Sequence, residues 1–146
     1  METLRTLQIM ALRKILNHSD NVAYCESGDN VYFTLEGCAA FAIPREDVYI
    51  DLSKVRKNDK LATSFVVSAC DKPLRVSKEC EKHGSYTLVR LEANNFDVWL
   101  DKRYFNRHYK DQYLYAENPE AAVKLASRGT GKIEAVIMPV KRNRED

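Results

Sequence analysis

The fold of this chain is decided by residues 96–141, which read FDVWLDKRYFNRHYKDQYLYAENPEAAVKLASRGTGKIEAVIMPVK. Apolar and polar residues alternate from Phe96 to Leu100, a pattern typical of a half-buried strand. Asp101 follows at a position that suits a helix N-cap, where its carboxylate would accept hydrogen bonds from free backbone N–H groups. This part of the stretch therefore predicts a strand that leads into a helix.

The helix predicted after Asp101 has two chemically different faces. One face is aromatic and comprises Tyr104, Phe105, His108 and Tyr109. The opposite face is basic and polar, with residues spaced as neighbours on a helix surface: Arg103, Asn106, Arg107 and Lys110. We expect the aromatic side to pack on a sheet and the basic side to face outward.

Three strands are predicted after this helix. The first two cover residues 112–116 and 121–126, and the third covers residues 133–138, which Pro139 ends. Gly129-Thr130-Gly131 suits a tight hairpin turn, because glycine adopts positive φ angles without strain. An alternative exists for residues 118–127, since Asn118-Pro119-Glu120 could also cap and start a short helix.

The upstream part of the chain predicts one more helix and a series of short strands. Residues 3–17 carry apolar side chains at helical spacing, and Thr3 is a suitable N-cap. The predicted strands are residues 22–26, 31–35, 39–43, 48–50, 63–69 and 85–93. Residues 77–84 are predicted as a charged loop, and residues 51–84 resemble an insertion. The pattern predicts one α+β domain over residues 1–146, with two helices on a curved, mostly antiparallel sheet.

Composition and charge favour an ordinary globular protein. Hydrophobic residues make up 45% and charged residues 30% of the chain, and the net charge is only +2. Attraction to nucleic acid must therefore come from local clusters of basic residues. No apolar run is long enough to cross a bilayer and no hydrophobic leader is evident, so we expect a cytoplasmic protein without a membrane partner.

The cysteines and carboxylates raise two possibilities for metal binding. Cys25, Cys38, Cys70 and Cys80 are widely spaced and are expected to be reduced core residues. A zinc site could use Cys70, Cys80 and His83, but it lacks a paired spacing and a fourth ligand. A metal-dependent nuclease could use Asp47, Asp51 and Glu92, although their spacing does not require it. We predict no metal, no cofactor and no enzymatic activity.

Three segments in the same order resemble the C-terminal part of the bacterial DNA polymerase III β subunit, the sliding clamp. These segments are Leu100-Asp101-Lys102-Arg103-Tyr104-Phe105, Asn118-Pro119-Glu120-Ala121-Ala122-Val123-Lys124-Leu125 and Val136-Ile137-Met138-Pro139-Val140-Lys141. The match covers about a third of the chain. It implies a DNA-clamp-like domain, and it makes residues 118–127 a loop and a strand.

The resemblance also implies which residues function. Basic helices line the hole of a sliding clamp, so the DNA-contacting residues would be Arg103, Asn106, Arg107 and Lys110, with Arg13 and Lys14 of the first helix. These side chains would meet the backbone of double-stranded DNA without reading its sequence. Met138, Pro139 and Val140 would form a pocket for a polymerase-type peptide, and residues 142–146 would be a charged tail. One such domain cannot encircle DNA, so a homo-oligomer is implied.

The expected function is that of a non-enzymatic, sliding-clamp-like protein, acting in DNA replication as a processivity factor or as a docking site for partners. A second hypothesis keeps the domain and drops DNA. In that case the chain is a small protein-binding module or inhibitor, of the kind encoded by viruses or mobile elements, that acts on a replication or defence complex.

Overall fold

The computed structural model of this chain describes residues 22–35, 39–49, 51–102 and 112–140. The chain forms two compact units, Met1–Val66 and Val67–Asp146. The prediction of a single domain over residues 1–146, with an insertion at 51–84, stays a prediction. No described helix is long and apolar enough to span a bilayer.

The first unit contains four short strands among its described residues. They are β1 (Ala23–Ser27), β2 (Asn30–Leu35), β3 (Ala39–Pro44) and β4 (Arg56–Lys57), in the order β4-β1-β2-β3. β1 pairs antiparallel with β2 and β2 with β3, whereas β4 runs parallel to β1. Three short 3-10 helices complete this unit: Arg45–Asp47, Leu52–Lys54 and Leu61–Ser64.

The predicted turn between β1 and β2 is confirmed. Gly28 has a φ of 58°, a conformation that costs glycine little and other residues more. The turn places Val31 and Phe33 beside Ile43 in a buried apolar cluster on one face of the sheet. On the other face, the ring of Phe65 packs 4.5 Å from the ring of Tyr32, between centroids.

The second unit is built from six described strands. They are β5 (Lys72–His83), β6 (Tyr86–Glu92), β7 (Asp97–Asp101), β8 (Gln112–Ala116), β9 (Val123–Ser127) and β10 (Ile133–Ile137), in the order β10-β9-β8-β5-β6-β7. Every neighbouring pair in this unit is antiparallel.

β5 turns the sheet of the second unit. Its first residues pair with β8 and its later residues pair with β6, so that one strand serves two partners. The register with β6 shifts between Val76 and Cys80, which marks a bulge. Bulges bend a strand and increase its twist, which gives this sheet its curvature.

One backbone hydrogen bond shows how strongly this sheet curves. The N–H of Val140, three residues after β10, donates to the carbonyl oxygen of Trp99 on β7 at 2.9 Å. In a flat sheet, the five spacings between β10 and β7 would separate them by roughly 24 Å. Three residues reach no more than about 10 Å. The six strands must therefore curl until their two outer members come close together.

The core of the second unit lies on the concave side of this curl. Register places four apolar side chains in one row across β5, β8, β9 and β10: Leu74, Leu114, Leu125 and Ala135. All four are buried. On the neighbouring strands β6 and β7, Leu88, Leu91, Val98 and Leu100 are also buried.

The α+β fold class is wrong, because the described residues are largely β. They contain ten strands, mostly antiparallel, and three 3-10 helices, with no α-helix among them. The predicted helix at residues 3–17 lies outside the described residues, as does the second predicted helix from Arg103 onward. Asp101, expected as a helix cap, is instead the last residue of β7 and is buried.

Two further predictions of local structure are also wrong. Residues 63–69 are not a strand, since a 3-10 helix and turns cover them and Phe65 packs on Tyr32. Residues 77–84 were expected to be loop, yet Ser77 to His83 belong to β5 and pair with β6. Tertiary packing and strand pairing override the local preference in both places.

The strands predicted around the second half of the chain are confirmed. β8 has the predicted bounds, Gln112–Ala116, and β9 takes the strand alternative, with the Asn118 side chain accepting from the Glu120 N–H at 2.9 Å in the preceding turn. Gly131, in the turn to β10, has a φ of 72°. The Asn94-Asn95 turn joins β6 to β7.

Candidate binding surfaces

The predicted DNA-contacting residues all lie outside the described part of the chain. They are Arg103, Asn106, Arg107 and Lys110 of the second predicted helix, and Arg13 and Lys14 of the first. Their role on DNA stays a prediction.

The predicted peptide-binding residues form the docking segment, residues 138–140. β10 ends at Ile137, and Pro139 has no N–H with which to extend a ladder. Val140 is held on β7 through its bond to Trp99, and Trp99 is itself buried. Met138 is 44% exposed. The segment thus presents a methionine side chain to solvent from a backbone fixed at both ends.

A second exposed surface lies on the convex side of β8. Register places Tyr113 opposite Ala126 and Tyr115 opposite Lys124, so that both tyrosines point away from the buried Leu114. Tyr113 is 48% exposed, and the two rings are 6.5 Å apart and inclined at 48°. We call this surface, with Arg128 and Lys132 of the adjoining turn, the tyrosine face.

The turn between β9 and β10 supplies the positive charge of the tyrosine face. Its residues Arg128-Gly129-Thr130-Gly131-Lys132 include two cations and no carboxylate. The guanidinium carbon of Arg128 lies 5.1 Å from the centroid of the Tyr113 ring, within cation–π distance. Sequence analysis did not identify this surface, because only the register of β8 with β9 brings the turn beside the ring.

A buried ion pair lies beside this surface and anchors the residues that precede β5. Lys124 Nζ is 2.8 Å from Asp71 Oδ2, and the two side chains are 14% and 1% exposed. Asp71 Oδ2 also accepts from the Ser68 N–H at 2.7 Å, whereas Asp71 Oδ1 is buried without a partner among the described residues. The Ser68 hydroxyl donates to Glu117 Oε1 at 2.8 Å. These contacts tie residues 68–71 to β9 and to the end of β8.

An exposed charge cluster on β5, β6 and β7 surrounds Arg90. Its guanidinium lies 2.7 Å from Asp97, 2.9 Å from Glu79 and 3.3 Å from Glu92. The hydrogen bond to Asp97 raises the pKa of Arg90 above its usual value. Glu92, a candidate for nuclease chemistry, is therefore part of a cross-strand ladder of charges.

The other metal-binding candidates are not brought together. Among the described residues, no group of three or more histidine, cysteine, aspartate or glutamate side chains could hold a metal ion. Asp51 caps a 3-10 helix by accepting from the Ser53 N–H at 3.0 Å. Cys25 is buried as expected, but Cys70 and Cys80 are exposed, so the prediction of core cysteines is wrong for these two.

Comparison with known proteins gives no relative. No protein-family model, no curated protein and no solved structure matches this chain. The resemblance to the sliding clamp therefore stays an expectation, and the described surfaces carry the functional argument.

Proposed function

We propose that this chain is a non-enzymatic docking protein that binds a peptide segment of a protein partner at the docking segment. The observation that carries this proposal is the exposed Met138 on a backbone fixed by β10 on one side and by the Val140–Trp99 bond on the other. Preorganisation of this kind lowers the entropy cost of association.

The chemistry of methionine suits a docking contact. Its unbranched, polarisable side chain adapts to differently shaped apolar partners, which is why methionine is frequent on binding surfaces. Pro139 and Val140 flank it and are half-buried, so they extend the apolar surface beside it. A contact of this size fits a short peptide anchor and a transient complex.

The contact with double-stranded DNA is a second part of the proposal and rests on sequence alone. The basic residues Arg103 and Arg107 would meet the phosphate backbone, and self-association of the chain would supply the additional subunits that a processivity function requires. Light scattering measures that assembly directly. Duplex binding that weakens steeply with salt, and that Arg103→Glu with Arg107→Glu abolishes, would support this part.

Replacing Met138 tests the docking proposal. A labelled peptide of the replicative-polymerase tail type should bind the parent protein, and Met138→Asp should weaken binding at least about tenfold, because the variant places a charge in the apolar contact. Fluorescence anisotropy measures the affinity.

Val76→Asp is the matched control for this test. Val76 is 53% exposed on β5 of the same unit, so the substitution adds the same charge away from the docking segment. It should leave peptide affinity unchanged. Equal losses in the two variants, or tight binding by Met138→Asp, would contradict docking at residues 138–140.

A further inference from the structure

We propose that the tyrosine face binds single-stranded nucleic acid. This surface is separate from the docking segment, and its tyrosines belong to β8 rather than to either predicted helix. The argument rests on two exposed rings, two cations on the turn beside them and the stiffness of the strand that carries the rings.

The rings provide a platform for bases. Tyr113 and Tyr115 lie two residues apart on one face of β8, and their centroids are 6.5 Å apart. Because the rings are inclined at 48° rather than stacked on each other, each offers its own surface to a base. Base–aromatic stacking is favourable for every base, since each base has a π-face.

The turn beside the rings provides charge complementary to phosphate. Arg128 and Lys132 are exposed in a turn that has no carboxylate, and the Arg128 guanidinium lies over the Tyr113 ring. A base stacked on Tyr113 would bring its phosphate close to this guanidinium. Lys124 contributes less charge to the surface, because Asp71 neutralises it at 2.8 Å.

The ligand is single-stranded because of what stacking requires. In a duplex, the bases stack on one another and only their edges are exposed in the grooves, so side-chain rings reach them only after unstacking. Single strands offer free base faces to aromatic side chains.

The position of β8 in the sheet makes the platform rigid. β8 is hydrogen-bonded to β5 on one side and to β9 on the other, and its opposite face carries buried Leu114 and Ala116. Binding residues on a strand fixed in this way need no ordering when the ligand arrives.

Fluorescence anisotropy with a labelled oligothymidylate of about twelve nucleotides tests the inference. At about 50 mM salt, the parent protein should bind the single strand at least tenfold tighter than a duplex of equal length. Tyr113→Ala should weaken binding by about tenfold, whereas Tyr113→Phe, which keeps the ring, should retain the parent affinity. Arg128→Gln should reduce the slope of log affinity against log salt by about 0.7.

Tyr49→Ala is the control for loss of an exposed tyrosine. Tyr49 is 79% exposed in the first unit, and its replacement should leave oligonucleotide affinity unchanged. Arg128→Gln changes an exposed turn residue, so its salt slope tests the surface even if Tyr113→Ala does not fold. The inference is overturned by an equal affinity for duplex, by equal losses in Tyr113→Ala and Tyr49→Ala, by an unchanged salt slope in Arg128→Gln, or by binding of the peptide without binding of the oligonucleotide.

Discussion

The two faces of the β8–β9 pair have different tasks although they belong to the same ten residues. On the concave face, Leu114 and Leu125 lie opposite each other and are buried, with Leu125 only 2% exposed. On the convex face, Tyr113 is 48% exposed and Arg128 lies over its ring. Alternation along a strand thus lets one pair of strands serve folding on one side and binding on the other.

The convex face is not uniform, and that refines the comparison. Ala126, opposite Tyr113, is 1% exposed, and Lys124 is largely buried against Asp71. The open part of this face is therefore the β8 side and the adjoining turn. Substitutions across the two faces should separate effects on stability from effects on binding.

Lys124→Met should give the largest loss of stability, although Lys124 lies on the convex face. The substitution leaves the Asp71 carboxylate buried without its cation, and breaking a buried pair in this way costs about 3–5 kcal/mol. Urea denaturation measures the free energy of unfolding. The double variant Lys124→Met with Asp71→Leu should recover much of that loss, because no buried charge remains. A loss below about 1 kcal/mol in the single variant would show that the pair is solvated.

Leu125→Ala should rank second, with a loss of about 3 kcal/mol. It removes three carbon atoms from a row of buried side chains that crosses four strands, and it leaves a cavity there. Thermal and urea denaturation both report the loss. Oligonucleotide affinity of the folded fraction should stay at the parent value, and a selective loss of affinity would break the separation between the two faces.

Tyr113→Thr should have the smallest effect on stability, below about 1 kcal/mol. Threonine is favourable in strands, the site is half-exposed, and only the cation–π contact with Arg128 is lost. The same urea measurement checks this value. A loss as large as that of Leu125→Ala would mean that the Tyr113 ring belongs to the core and not to a binding surface.

Local chemistry in the sequence identified the turns and several strands correctly. Gly28 and Gly131 marked hairpin turns because they can adopt positive φ, and both do. The bounds of β8 were predicted because Gln112–Ala116 alternates in a way that suits a strand with one buried face.

Long-range pairing explains what local patterns missed. The charged residues Ser77 to His83 read as loop, yet the ladder to β6 makes them a strand. Phe65-Val66-Val67 read as a buried strand, but Phe65 alone is buried there, against Tyr32. Asp101 suited a helix cap by type, and pairing with Leu88 makes it part of β7 instead. The tyrosine face was missed for the same reason, since Tyr113 and Arg128 meet only through strand register.

The most direct test of docking uses the methyl groups of the three methionines, Met1, Met10 and Met138. In a protein labelled with carbon-13 at these methyl groups, titration with the polymerase-type peptide is followed by two-dimensional NMR, and Met138→Leu assigns the Met138 signal. We predict that the Met138 signal shifts in a saturable way while those of Met1 and Met10 stay in place. A Met138 signal that does not move at saturating peptide would contradict the account.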